Sequence, residues 1–284
     1  MHKSITIVIP SYNSKKLVLL HLKKLSKKLK ILIIENSQDK ILKKLVNKKY
    51  KNAKVYFKKN IGYGRAINFA STLVKTKYFF VMNPDTKIYK DTLKKLYEAS
   101  KKINKFGMLS PQNIIERNKK KKSQLLIEKK MLNGAAMLFD KKYFKKIGGF
   151  DEKIFLYYEE NDYFIKSNNL KLKLYTVSNS FHYHDLNGDT TSAFFNTSDE
   201  KDYSKLISGW HGQWSKFYFN KKYKGYFKSL LICLPNLVTN ILQLFLNLLI
   251  NLKKAKYIYF KIEGLIASMI GLSSFKRSKY DKLS

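Results

Sequence analysis

The sequence is poor in cysteine, in arginine and in acidic residues, and each scarcity excludes a class of protein. A single cysteine, Cys233, rules out a disulfide framework and a cysteine-based zinc site, and it fits a reducing compartment. The chain starts at once with a strand pattern, KSITIVIP, which leaves no room for a signal peptide, so we expect a cytoplasmic core. With 284 residues and 44% apolar content, the chain can bury one substantial core with a smaller appended element.

Acidic residues are outnumbered by basic ones, 20 against 57, which gives a formal net charge of +37. Such an excess favours nucleic-acid binding in principle, because clustered cations bind phosphate backbones through counterion release. Arginine, which contacts bases and phosphates with two donors at once, occurs only at positions 65, 117 and 277, and the lysines are spread over nearly every predicted helix. The distribution therefore argues against a nucleic-acid partner, although the surface would still attract anionic lipid headgroups and nucleotide diphosphates.

Short β-branched or aromatic runs alternate with lysine- and leucine-rich stretches in the first hundred residues. This alternation predicts an α/β fold, in which a mostly parallel sheet is flanked by helices. After residue 105 the strands become shorter, which suggests a nucleotide-binding half (1–105) followed by an acceptor half (106–225). The predicted strands of the first half are Ile5–Ile9, Ile31–Ile34, Val55–Phe57 and Tyr78–Met82, and its predicted helices are Leu17–Leu29, Ile41–Asn47, Gly64–Lys75 and Asp91–Ile103.

Residues 226–284 are predicted to form a helical tail. The part from 229 to 252 has no charged side chain and is long enough to span a bilayer, since about 20 apolar residues suffice. Its polar residues recur every three or four positions, however, so on a helix they form one stripe opposite an apolar face. We therefore expect the tail to lie in the membrane interface or to pack in a homo-oligomer, in preference to a transmembrane span or a soluble hairpin. The stripe consists of Asn236, Asn240, Gln243, Asn247 and Asn251.

The aromatic and basic stretch from residue 208 to 223 has its large side chains at helical spacing. Two interpretations carry equal weight here, an interfacial anchor and a packed domain edge.

The strand Tyr78–Met82 runs directly into Asn83, Pro84 and Asp85. Pro84 cannot donate to a sheet ladder, so the strand must end there and leave Asp85 at its carboxyl end. That edge is where open α/β sheets bind ligands, and a carboxylate there is suited to holding a divalent cation against a substrate diphosphate. An ordinary aspartate in a turn is the equal alternative on this segment alone.

Two further strand ends should lie at the same edge, because parallel strands point the same way. Pro10, Tyr12 and Asn13 follow the first strand, and Glu35 and Asn36 follow the second. Together they could line a nucleoside pocket, in which Glu35 would accept a hydrogen bond from a pyrimidine imide or a ribose hydroxyl. Each signal is weak by itself, since polar residues after strands are common.

A glycine-containing segment, NIGYGRAIN, supplies Asn60, Gly62 and Arg65 just before or within a predicted helix. Glycines there allow backbone amides to approach a bound nucleotide, and the helix amino terminus favours anionic groups. The spacing differs from the dinucleotide fingerprint G-x-G-x-x-G, which would require a glycine at Ile67. A nicotinamide-dependent dehydrogenase is therefore set aside.

Three acids, Glu159, Glu160 and Asp162, cluster at the start of a predicted amphipathic helix. Acidic residues are favoured in a first helical turn in any case, so helix capping is a serious alternative to function. Crowded carboxylates at a cleft can also acquire a raised pKa and act as a general base. Further along, His182 and His184 are expected on one face of a strand, either as ordinary strand residues or as ligands that complete a metal shell.

Taken in order, these motifs resemble those of family 2 glycosyltransferases with the GT-A fold, in particular the rhamnosyltransferase-like bacterial members. The resemblance rests on IVIPSYN, the strand ending in ENS, N-x-G-x-G-x-A-x-N, NPD, GGFDE with YYEEND, and the following histidine. It implies a GT-A catalytic domain over residues 1–225 and inverting transfer of a sugar from a UDP- or TDP-type donor. The implied acceptor is a glycan or a polyprenyl-linked molecule of cell-envelope polysaccharide synthesis, reached at the inner, anionic face of the plasma membrane.

The resemblance also implies roles for individual residues. Asp85 would hold Mg or Mn across the donor diphosphate, with His184, or alternatively His182, in support. Glu160 would take the proton from the acceptor hydroxyl, with Glu159 as the alternative base.

Three positions depart from the family pattern: Asn83 stands where an aspartate often lies, and Glu35 and Glu160 replace aspartates. Because asparagine carries no charge to share with a metal, coordination by Asp85 as the sole acid is expected. The competing interpretations are a catalytically idle GT-A-like module that binds a nucleotide or a glycan and, less favoured, a basic nucleic-acid binder.

Overall fold

The computed structural model describes residues 1–115, 124–132, 134–184 and 198–277, without the side chains of residues 198–201. The chain divides into two compact units. The first comprises Met1–Asp151 and Glu160–Phe194, and the second comprises Glu152–Glu159 and Phe195–Ser284. The boundary predicted at residue 226 falls inside the second unit.

The first unit is an α/β structure, as predicted. Its strands are β1 (Ile5–Ser11), β2 (Lys30–Glu35), β3 (Ala53–Phe57), β4 (Tyr78–Met82), β5 (Lys87–Ile88), β6 (Met108–Asn113), β7 (Leu126–Lys129), β8 (Ala136–Asp140) and β9 (Leu174–Tyr183). Its helices are α1 (Lys15–Lys24), α2 (Lys40–Lys49), α3 (Tyr63–Leu73), α4 (Thr92–Lys102), α5 (Lys141–Ile147) and α6 (Glu159–Asn169), of which the first residue is counted with the second unit.

These strands form one sheet in the order β3-β2-β1-β4-β8-β6-β9-β5, and β7 pairs with β9 outside this path. The pairs β1–β2, β2–β3, β1–β4 and β6–β9 are parallel. Strand β8 is antiparallel to both of its neighbours, β4 and β6. The carboxyl ends of β1, β2, β4, β6 and β9 therefore share one edge with the beginning of β8.

Both faces of the sheet are covered because its central strands are apolar on both sides. Along β1, Ile5, Ile7 and Ile9 join the core that contains α1, α2 and α4, while Val8 joins the core that contains α3 and α5. This alternation follows from the two-residue period of a strand, and continuous apolar runs of this kind are typical of doubly covered sheets.

The predicted elements of the first half differ from the structure mainly at their ends. The first helix ends at Lys24 and not at Leu29, because Leu25 is extended (φ −75°, ψ 144°) and its N–H closes the last turn on the carbonyl of His21. Strand β5 is only two residues long, and β6 carries Pro111 beside an irregular register, so neither gives a sequence pattern that predicts a strand.

The second unit is helical, with α7 (Ser198–Lys224), α8 (Tyr226–Ile250), α9 (Leu252–Met269) and a 3₁₀ turn at Ser274–Arg277. Single residues separate the three helices. One of them, Gly225, has φ +83°, a conformation that favours glycine. Trp210, Trp214 and Phe217 of α7 are buried within this unit, so the aromatic stretch is a packed core and not an interfacial anchor.

Candidate active site

Asp85 and His184 meet at the carboxyl edge of the sheet, although 98 positions separate them in the sequence. The short strand β5 pairs antiparallel with β9, which places Lys87 opposite Tyr183. Asp85 lies just before β5 and His184 just after β9, and the His184 Nε2 is 3.3 Å from the Asp85 Oδ2. The side chain of His184 is 17% exposed and that of Asp85 is 11% exposed. The Asn113 Nδ2 donates a hydrogen bond to the His184 carbonyl at 2.8 Å.

The remaining oxygen of Asp85 gives a test of whether a cation fits here. Oδ1 of Asp85 is buried and accepts no hydrogen bond from the described residues, and the same is true of Oδ1 of Asn83. Buried polar oxygens normally have a partner, and carboxylate oxygen is the preferred ligand of Mg²⁺ and a good one for Mn²⁺. Asp85 and His184 thus fit a divalent cation as two ligands.

A complete protein cage for such an ion is not seen within the described part of the chain, since no group of three or more His, Cys, Asp or Glu side chains converges there. Ions bound against substrate phosphates commonly use only one or two carboxylates and complete their shell with phosphate oxygens and water. The site is therefore of the kind that a substrate would complete.

His182, the alternative metal ligand, lies within β9 and is 1% exposed. Burial and the neighbouring His184 lower its pKa to about 4, against the raising effect of the Pro111 and Gln112 backbone carbonyls. It therefore stays neutral near pH 7, deeper in the sheet than His184. The geometry favours His184 as the partner of Asp85.

His21, which the sequence analysis did not single out, supports the turn that carries Asp85. Its Nε2 lies 2.7 Å from the carbonyl oxygen of Pro84. A carbonyl only accepts, so Nε2 carries the hydrogen; burial lowers the pKa of this histidine and favours its neutral form. The bond fixes the peptide that leads into Asp85. A lone histidine on a helix gives no sequence signal for such a role.

Glu160 is placed by an unusually close approach to Gly134. A Cβ atom added to Gly134 would lie 1.6 Å from Oε1 of Glu160, so the carboxyl group occupies the space that a side chain would fill. Burial raises the pKa of Glu160. A carboxyl group with a raised pKa is better suited to accept a proton than an ordinary glutamate.

The short segment Gly134–Ala135 connects Glu160 with the turn that carries Asp85. The carbonyl of Gly134 accepts a hydrogen bond from the Tyr63 hydroxyl at 2.6 Å. The carbonyl of Ala135 accepts from the Asn83 N–H at 2.9 Å and from the Thr86 hydroxyl at 3.1 Å. One backbone segment therefore leaves space for the carboxyl group of Glu160 and, at its next residue, fixes the turn that carries Asp85.

The other two acids of α6 have different surroundings. Asp162 is buried and pairs with Lys166 at 3.2 Å, and Lys166 also donates to the carbonyl of Gly149. This arrangement ties α6 to the GGF turn and favours a structural role for Asp162. Glu159 is buried and is counted with the second unit.

Glu35 is fully buried at the end of β2, opposite Ser11 of β1. Oε2 accepts from the Ser11 hydroxyl at 2.5 Å, and Oε1 accepts from the backbone N–H and the hydroxyl of Ser37. Ser37 in turn accepts from the N–H of Asn13 at 3.1 Å. Burial raises the pKa of Glu35, and these hydrogen bonds oppose the shift. Glu35 therefore braces the loop after β1, and its contact with a nucleoside remains a prediction.

The other residues predicted to contact the donor are distributed around this edge. Pro10 lies within β1, Tyr12 and Asn13 follow it, and Arg65 is in the first turn of α3. Asn36 is buried, and its Oδ1 accepts no hydrogen bond from the residues that are described. Their roles toward a nucleotide stay predictions.

The segment before α3 shows why its glycine and its last asparagine are needed. Gly62 has φ +80°, where other residues are strained, and its N–H faces Oδ1 of Asn60 at 3.5 Å. Asn68 bonds both backbone groups of Phe150, accepting from its N–H at 2.9 Å and donating to its carbonyl at 3.0 Å. The final Asn of NIGYGRAIN therefore anchors the GGF turn that precedes α6, a role that sequence analysis missed.

Comparison with known proteins agrees with this fold. Residues 6–165 match the model of the family described as Glycosyl transferase family 2. Comparison with curated proteins gives no match.

Three solved structures illustrate the structural likeness. S. aureus TarS 1-349 in complex with UDP-GlcNAc has a TM-score of 0.52 at 16% identity, with 95% of this chain and 92% of that chain covered. Mannosyltransferase PcManGT from Pyrobaculum calidifontis, in complex with GDP-Man and Mn²⁺, has a TM-score of 0.55 at 10% identity, with 95% and 88% covered. GalNAc-T7 with UDP, GalNAc and Mn²⁺ has a TM-score of 0.53 at 12% identity. The alignment with GalNAc-T7 covers 64% of this chain, and this chain spans less than half (43%) of the length of GalNAc-T7. The fold is thus GT-A-like, as predicted.

Proposed function

This chain belongs to glycosyltransferase family 2, and on that premise we propose that it is an inverting enzyme that transfers a hexose from a nucleotide diphosphate sugar. The observation that carries the proposal is the 3.3 Å approach of His184 to Asp85 at the carboxyl edge of the sheet. It is supported by Glu160, which reaches the same edge through Gly134 and has a pKa raised by burial.

We assign the donor diphosphate to the edge beside Asp85 and His184. A divalent cation, Mg²⁺ or Mn²⁺, would be held by these two residues and would neutralise the charge that develops on the departing diphosphate. Asp85 keeps one buried oxygen available for this purpose, and His21 fixes the peptide before it. Structural relatives with Mn²⁺ in their complexes support the choice of ion.

Glu160 is assigned as the general base. It accepts the proton of the acceptor hydroxyl as that oxygen forms a bond to the anomeric carbon. The bond from the anomeric carbon to the diphosphate breaks in the same step, its electron pair leaves with the nucleotide, and the anomeric configuration inverts. General-base assistance of this kind contributes about 10² to 10⁴ in rate.

We further propose a UDP- or TDP-linked hexose donor of the rhamnosyltransferase-like type and a glycan or polyprenyl-linked acceptor of the bacterial cell envelope. The motif order in the sequence supports this assignment. Nucleotide sugars in the complexes of TarS and PcManGT support the donor class.

The test is a screen of UDP, TDP and GDP sugars for stabilisation of the purified protein, because a bound ligand raises apparent stability by mass action. Donor hydrolysis is then measured with and without Mn²⁺. Asp85→Asn should reduce hydrolysis by about 10³-fold, as expected when a metal-held leaving group loses a ligand.

Asp91→Asn is the matched control, since Asp91 is a half-exposed surface residue paired with Lys95 at 2.5 Å. It should leave hydrolysis unchanged. Full activity of Asp85→Asn would refute the metal assignment, and donor binding without any turnover would identify a catalytically idle module instead.

A further inference from the structure

Helix α8 of the second unit buries two asparagines of its polar stripe, leaves Asn236 and Gln243 exposed, and exposes most of its apolar side chains. Asn240 and Asn247 of the stripe predicted from the sequence are buried, and the Lys261 Nζ of α9 donates to the Asn240 Oδ1 at 3.0 Å. This is the inverse of an ordinary surface helix, which presents its polar side to water. The neighbouring helix thus satisfies part of the stripe and leaves the opposite side of α8 uncovered.

That uncovered side is apolar from one end of α8 to the other. Its residues recur every three or four positions and are all exposed, up to 92% at Leu249. A continuous apolar stripe of this length on a protein surface marks an interaction site. The α8 face is defined by Leu231, Leu234, Val238, Leu242, Phe245 and Leu249.

Exposed lysines lie at both ends of the α8 face. No aspartate or glutamate occurs between Asp202 and Glu263 in the sequence. In space, Lys253 pairs with Asp202 at 3.4 Å, and both side chains are exposed to solvent. A second copy docked on the same face would bring like charges together, because a two-fold interface repeats the same surface. Anionic headgroups complement the lysines and acyl chains complement the face between them. The lysines are Lys221, Lys222, Lys224 and Lys228 at one end and Lys253, Lys254 and Lys256 at the other.

We propose that the α8 face docks on an anionic lipid bilayer, with α8 lying in the plane of the interface. Within the described ranges, α8 is the one helix whose length and composition would allow it to cross a membrane. It packs along α9, however, which carries Lys256, Lys261 and Glu263 beside it. A crossing would draw these charges into hydrocarbon, whereas an in-plane orientation removes only the apolar face from water.

The single cysteine allows a direct test on the full chain. Cys233 is replaced by alanine, and single cysteines are placed at Leu231, Leu242 or Leu249 and labelled with an environment-sensitive fluorophore. Vesicles of phosphatidylcholine with phosphatidylglycerol should shift the emission of all three labels to the blue, and doxyl lipids should quench them at similar depths. A label at the exposed Ile41 of α2, in the first unit, is the matched control and should not respond.

Each other outcome overturns the proposal. A deep label at Leu242 flanked by shallow labels at Leu231 and Leu249 would mean that α8 spans the bilayer. A stable dimer in sedimentation that Leu242→Asn with Phe245→Asn dissociates, together with no vesicle response, would assign the face to a second copy. Binding to vesicles that this pair of substitutions leaves unchanged would place the lipid contact elsewhere. None of these results depends on sugar transfer, so the proposed function is tested separately.

Discussion

Replacement of Gly134 by alanine would place a methyl group where the Glu160 carboxyl group now lies. The added Cβ would be 1.6 Å from Oε1 and 2.8 Å from Cδ of Glu160, distances that no pair of such atoms tolerates. Gly134 does not have a left-handed backbone conformation, so alanine fits the backbone itself. The carboxyl group must therefore move away.

The expected effect on activity is large, and the effect on folding is small. If Glu160 is the base, its displacement should reduce kcat by about 10² to 10⁴, which corresponds to about 3 to 5 kcal/mol of lost transition-state stabilisation. Glu160 is only partly buried, and its carboxyl group is the flexible end of the side chain. Gly134→Ala should therefore lower the free energy of unfolding by less than about 2 kcal/mol.

Initial rates of transfer and urea unfolding measure the two quantities separately. Gly212→Ala in α7 is the matched control, because its Cβ would meet nothing closer than a Tyr157 ring carbon at 3.9 Å. It should leave activity unchanged and stabilise the helix by about 0.5 to 1 kcal/mol. In a Glu160→Ala background, Gly134→Ala should have no further effect on the rate, since the displaced group is gone.

Two results would refute this reasoning. Activity of Gly134→Ala near that of the parent would mean that the Glu160 carboxyl does not act from this position. An equal loss in the Glu160→Ala background would assign the effect to the backbone segment that Tyr63 holds.

Three other perturbations test other parts of the site. Burial raises the pKa of Glu160, and a base acts only when it is deprotonated. We therefore expect kcat/KM to fall on acidification at a pH above about 4.3, the ordinary pKa of glutamate. This fall should be absent in Glu160→Gln, and an unchanged pH profile in that variant would point to another group. Ser11→Ala removes a hydrogen-bond donor from buried Glu35 and should lower the unfolding free energy by about 1 to 3 kcal/mol in urea melts. Thr72→Ala removes an exposed hydrogen bond and should lower it much less. Equal losses would contradict the role of Glu35 in bracing the loop after β1. His21→Ala removes the hydrogen bond to the Pro84 carbonyl. It should raise the Mn²⁺ concentration needed for half-maximal hydrolysis more than it raises the KM for the donor. Equal changes in these two quantities would show that His21 does not position Asp85.

The parallel half of the sheet could be predicted from the sequence because each of its strands is a short apolar run bounded by turn residues. The sequence predicts Tyr78–Met82 with the same ends as the structure, since these five apolar residues are followed by Asn83 and by Pro84, which cannot continue a sheet ladder. The contact between Asp85 and His184 was only an expectation, because it depends on the two-residue strand β5 and its pairing with β9. Two residues carry no periodicity, so their pairing can be seen only in three dimensions.

The sequence predicts the polar stripe on α8, but it does not predict whether the stripe faces solvent or protein. Helical spacing places Asn240 and Asn247 on one side, yet it cannot say whether that side meets water or protein. In the structure both are buried, and Asn240 accepts a hydrogen bond from Lys261 of α9, so the side of α8 opposite them is the exposed, apolar one. The same limit explains Trp210 and Trp214, whose spacing fits an anchor and a core equally well.

The acids of α6 illustrate how a helix separates neighbours in sequence. Successive residues on a helix point about 100° apart, so Glu159, Glu160 and Asp162 cannot share one environment. Asp162 lies one turn before Lys166 and pairs with it, while Glu160 faces the gap left by Gly134. The sequence shows three crowded carboxylates, but only the glycine 26 positions earlier distinguishes the one beside the Asp85 turn. A glycine has no side chain to attract notice, and its importance lies in the space that it leaves for the carboxyl group of another residue.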